Sequence, residues 1–87
     1  MRNTLDNEIR DRINSNIKFL LAREGVSQSA LAIAIDKSVT HISSLINGHG
    51  TPTLEFIINV SKYFNITIDD LIYVDMATEM GPKANED

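Results

Sequence analysis

The side chains able to do chemistry in this 87-residue chain are few, and most of those that cluster are hydroxyls. Ser38, Thr40, Ser43 and Ser44 fall within seven positions of one another, with Val39 among them. A hydroxyl can donate and accept hydrogen bonds, but it becomes a nucleophile only beside an activating base. No nucleophile–base pair and no phosphate-cradling glycine loop is evident. The histidines, His41 and His49, have no third ligand at metal-binding spacing. Cysteine is absent, which excludes disulfides, thiolate nucleophiles and cysteine-ligated zinc. Asp69 and Asp70 are adjacent carboxylates. They read as helix-opening residues, because carboxylates favour the positive end of the helix dipole. The expectation is a protein that is not an enzyme, with no metal and no other cofactor.

The elements that must position these side chains can be read from spacing. Ile9, Ile13, Ile17, Leu20 and Leu21 form one apolar stripe on a helix over 6–24, and Gly25 stops it. Arg10, Arg12, Lys18 and Arg23 lie off the stripe and read as a solvated face. Ser27 caps a short helix over 28–35 with Leu31, Ala32, Ala34 and Ile35. Asp36-Lys37 interrupts it. Ser38 caps a helix over 39–46 whose buried side is Ile42, Leu45 and Ile46, and Asn47-Gly48 ends it. After a loop over 49–52, Thr53 caps a helix over 54–64 carrying Leu54, Ile57, Ile58, Val60 and Phe64. Asn65 is a left-handed stop. Thr67, with Asp70 three residues on, resembles a capping box and opens a last helix over 68–75. No segment alternates with period two, so no sheet is expected. The fold class read from this pattern is all-α, a compact five-helix bundle.

Length supports one domain, placed at 1–76, with 77–87 as a flexible acidic tail and the first four residues loose. The net charge of −4 at pH 7 is unevenly spread. From Ile68 onward six acids face Lys83 alone, whereas residues 1–67 hold seven bases and six acids. The acidity therefore sits at the C-terminal end and leaves the rest of the chain free to approach phosphates. No apolar run approaches the ~20 residues of a membrane span, and residues 1–12 carry no signal-peptide pattern. A cytoplasmic location without membrane contact is expected.

Two short capped helices around a tight break, at about 27–46, are the generic helix-turn-helix signal, in which the first helix crosses the DNA backbone and the second enters the major groove. Ala32 falls where the helices approach, and Ile42 and Leu45 pin the second helix to the core. The stretch 26–72 resembles the lambda-repressor-like, Cro and Xre-type helix-turn-helix domains. The matching residues are Ser27-Gln28, Leu31-Ala32, Ser38, Ile42-Ser43, Asn47-Gly48, Pro52, Leu54-Glu55, Asp69 and Leu71. The resemblance implies a bundle that reads double-stranded DNA from its third helix. It puts Val39, Thr40, Ser43 and Ser44 at the base-reading positions, where hydroxyls meet base edges and methyls meet thymine. It assigns the DNA backbone to Gln28, Lys37, Ser38, Asn47 and His49.

Three departures from the family bear on function. Asp36 stands where many relatives have Gly. Lys37 is the only cation between Val26 and Thr53, so short hydroxyl and methyl contacts replace Arg–guanine pairs and throw weight onto DNA shape. Leu21 and Ile46 occupy the places of an Arg–Glu ion pair in some relatives, and such a swap is often neutral or stabilising. The surplus of apolar residues from Ile57 to Val74 suggests a homodimer built by the last helix and the loop before it. The function expected is a sequence-specific transcriptional regulator, a phage- or prophage-type repressor on a palindromic operator. The alternative is a protein-interaction module of the same fold, such as an antitoxin or a regulator that binds a protein partner.

Overall fold

The computed structural model describes residues 7–79. Those residues form α1 (Asn7–Glu24), α2 (Gln28–Ala34), α3 (Val39–Ile46), α4 (Leu54–Phe64), α5 (Ile68–Tyr73) and α6 (Met76–Glu79). There is no strand among them, and no helix among them is long and apolar enough to cross a membrane. The expected loose first four residues lie outside the described residues, as do residues 80–87 of the expected tail.

Four N-caps named from sequence are formed. The hydroxyls of Ser27, Ser38, Thr53 and Thr67 each accept from the amide three residues on, at 3.0–3.1 Å, which satisfies a donor that the first helical turn leaves unpaired. Only half of the Thr67–Asp70 capping box exists. Asp70 donates its amide to Thr67, and its carboxylate makes no hydrogen bond back. Asp is one methylene shorter than the Glu that this motif uses.

The core is assembled on α1, which packs against α3, α5 and α6, while α2 packs on α3 and α4 on α5. Ile13, Ile17, Leu20 and Leu21 are buried, with Ile9 partly so. Ala32 is 3% exposed against the α2–α3 packing, the close approach that its small side chain permits. Leu21 and Ile46 are both buried in this core and line one groove.

Three expectations are corrected. Six helices form among the described residues, because α6 follows a break at Val74. The expected fifth helix therefore ends at Tyr73, and 77–79 of the expected tail are helical. Asp75 starts α6 by accepting from the Thr78 amide at 3.4 Å, and Met76 is buried to 1% exposure. A four-residue helix is too short to show a period, so packing decides it. The buried face of α4 is Phe56, Ile57 and Val60. Leu54 is 66% exposed and Ile58 half-buried, because positions 56, 57 and 60 form the stripe that faces inward. In α2, Leu31 and Ala32 face the core, Ile35 is buried just past the helix end, and Ala34 is exposed.

Candidate nucleic-acid interface

Helix α3 is short and two-sided. Ile42, Leu45 and Ile46 hold it to the core, which leaves Val39 and Thr40 exposed and Ser43 and Ser44 half-buried on its other side. Thr40 and Ser44 lie one helical turn apart on the same face. An open groove runs along that face, lined by Gln28, Val39, Thr40, Ser43, Ser44, Asn47 and His49. Seven of the nine residues singled out from sequence thus line one surface. Gln28 comes from the start of α2, and Asn47 and His49 follow the end of α3, so the groove joins both helices of the pair and the loop after them.

The other two lie beside it. The Ser38 hydroxyl accepts from the His41 amide at 3.0 Å, which leaves its own proton free to donate. Lys37 is half-buried at the turn, and its amide donates to the Ala32 carbonyl at 2.8 Å. Neither lines the groove over α3. Asn47 is partly engaged: its side-chain amide donates to the Ser43 carbonyl at 2.9 Å. The same nitrogen also donates to the Ser43 hydroxyl at 3.4 Å, so the side-chain oxygen is what remains for a ligand.

The turn between α2 and α3 is held open by a left-handed residue. Asp36 has φ of 59°, and the Lys37 amide reaches back to Ala32, which pairs a carbonyl that the end of α2 would otherwise expose. The second helix is oriented from its other side by a contact that sequence reading missed. The His41 ring meets Phe56 edge-on, with centroids 5.7 Å apart and planes at 79°. The aromatic spacing to α4 carries no local signal, because the partners are far apart in sequence.

The groove over α3 is neutral, lined by hydroxyl, amide and imidazole groups with no Lys or Arg. Such a lining can accept from and donate to base edges, and it offers phosphate hydrogen bonds without an ion pair.

A sequence profile described as helix-turn-helix matches residues 17–71, which is more than half of the chain and spans α1 to α5. No curated protein matches the sequence significantly. Among solved structures, the crystal structure of hypothetical transcription factor NHTF from Neisseria is similar, with a TM-score of 0.69 at 18% identity, covering 83% of this chain and 84% of that one. At that identity the likeness is one of fold.

Proposed function

The chain belongs to the helix-turn-helix family and is a DNA-binding transcriptional regulator, and from that premise we propose that it is a sequence-specific repressor of the phage or prophage type. It binds a palindromic operator as a homodimer in the cytoplasm, and α3 reads the bases. The observation that carries this reading is the groove itself. Four residues of α3 share it with Gln28, Asn47 and His49. Thr40 and Ser44 read bases, with Val39 and Ser43 beside them. Gln28 and Asn47 position the phosphates, helped by Lys37, Ser38 and His49. Base contacts discriminate sequence, whereas phosphate contacts fix register.

Selection of bound duplexes from a random pool supplies the operator, and the spacing of its half-sites should be about one helical turn. With that duplex, Thr40→Ala and Ser44→Ala should each cost about 1–2 kcal/mol and lose much less on random DNA. Gln28→Ala and Asn47→Ala should weaken both by similar factors. Fluorescence anisotropy on the four variants reads both quantities. If the first two leave the cognate-to-random ratio unchanged, α3 is not the reader.

A second reading is favoured by the same neutral lining. The fold would then serve as a protein-binding module, an antitoxin or partner-binding regulator, and random-pool selection would return no preferred sequence.

A further inference from the structure

Val39 is the first residue of α3 and lines the groove over that helix. It is 42% exposed. The other exposed large apolar side chains among the described residues are Ile33, Leu54, Tyr63 and Tyr73, and none of them lines this groove. An apolar side chain thus stands in a lining otherwise made of hydroxyl, amide and imidazole groups. A recognition helix meets base edges through its N-terminal residues, so Val39 stands where a base pair is met.

What it can meet there is narrow. Major-groove edges present hydrogen-bond donors and acceptors, and their apolar group is the C5-methyl of thymine. Valine offers nothing to a donor or an acceptor. Covering either with it leaves that group unpaired, which costs binding. Against a methyl, the same approach removes apolar surface from water. Branching at Cβ restricts the side chain, so its two methyls are held in place before DNA arrives. The rest of α3 supplies no competing reader. The helix carries no Arg, Lys, Asn, Gln, Asp or Glu. Its His41 ring is set edge-on against Phe56 and does not line the groove. The hydroxyls of Thr40, Ser43 and Ser44 both donate and accept, so each suits more than one base edge. Sharper discrimination on α3 is left to its apolar group.

We propose that Val39 makes α3 a reader of pyrimidine C5-methyl groups. Each operator half-site places a thymine methyl against Val39, and 5-methylcytosine serves equally where a G·C pair stands in that position. The inference rests on the DNA-binding reading and names the chemical group that is read. One consequence is that methylation of a cytosine there governs binding.

The test uses the full chain with the selected operator, in which thymines are replaced by uracil one position at a time. Uracil lacks only the methyl. At one position of a half-site the exchange should weaken binding about four-fold, the worth of one buried methyl. A G·C pair placed there should bind about four-fold more tightly with 5-methylcytosine than with cytosine. These duplexes test the wild-type protein and need no variant. Val39→Ala should then abolish the uracil penalty at that position alone, and Val39→Ile should keep it. Wild-type affinity for every uracil duplex overturns the methyl contact while operator binding stands. So does a penalty of the same size in Val39→Ala, or equal affinity for the cytosine and 5-methylcytosine duplexes. A random pool that returns no preferred sequence overturns the reading role of α3, and the methyl contact with it.

Discussion

An asparagine at 1% exposure must find partners inside the protein, and Asn16 finds three, all beyond residue 70. Its amide donates to the carbonyls of Leu71 and Val74, each at 2.7 Å, and its oxygen accepts from the Met76 amide at 3.1 Å. One side chain on α1 thus closes the end of α5 and starts α6. Asn16→Leu would strand two carbonyls and one amide in the interior. At about 1–3 kcal/mol for each unpaired group, offset by the leucine's own burial, the expected loss is about 3 kcal/mol. Urea denaturation measures it. Hydrogen exchange should show α6 opening first in that variant, and protection equal to wild type would contradict the role given to Asn16. Asn14, two positions earlier, is equally buried and has no such partners.

At the scale of elements, one device recurs. Gly25, Asp36, Gly48 and Asn65 all have positive φ. Just after each, an amide reaches back five residues: Val26 to Leu21, Lys37 to Ala32, His49 to Ser44 and Ile66 to Ser61, at 2.8–3.0 Å. The four helix exits therefore have the same geometry, built twice on glycine and twice on Asp or Asn. Asp and Asn visit the left-handed region with less strain than other side chains, and glycine visits it with none. Asp36→Gly should therefore gain about 0.5 kcal/mol, whereas a β-branched Asp36→Val should lose about 1–2 kcal/mol. Thermal melts decide between these signs. DNA affinity should follow the same order, since this turn sets the angle between α2 and α3. A stabilising Asp36→Val would mean that the turn relaxes out of the left-handed region.

At the scale of the molecule, the apolar surplus that suggested a dimer is largely absorbed. Ile57, Val60 and Leu71 are buried, and Phe64, Ile66, Ile68, Ile72 and Val74 are partly buried against the core. Between Ile57 and Val74 the exposed apolar side chains are Tyr63, at 40%, and Tyr73, at 64%. The face left on α5 is therefore narrower than composition suggested, and the proposed dimer must form on Tyr73 and the half-buried residues around it. Sedimentation equilibrium at tens of micromolar should give a dimer. Tyr73→Asp should shift it toward monomer and weaken operator binding, with little change in the melt, because Tyr73 is exposed. A wild-type protein that stays monomeric with operator present would rule the dimer out.

What the sequence determined by itself is local. Ser27, Ser38, Thr53 and Thr67 cap helices because each hydroxyl needs only the amide three residues on. Gly25, Asn47-Gly48 and Asn65 end helices by backbone preference, and the stripe on α1 follows from a period of 3.6. The open side of α3 was legible for the same reason: once Ile42 and Leu45 face inward, Thr40 is left exposed and Ser44 half-buried on the opposite side. Tertiary structure decided what depends on distant partners. Asn16 stands 55 to 60 residues from the groups it bonds, so no window of sequence connects them. His41 against Phe56, the burial of Phe56 in place of Leu54, and the four residues of α6 held by Met76 are likewise products of packing. Lys18 belongs to that group. On its own helix it is one cation on a polar face, and only the packing of α1 brings it to line one groove with Gln28 and another with Asn47.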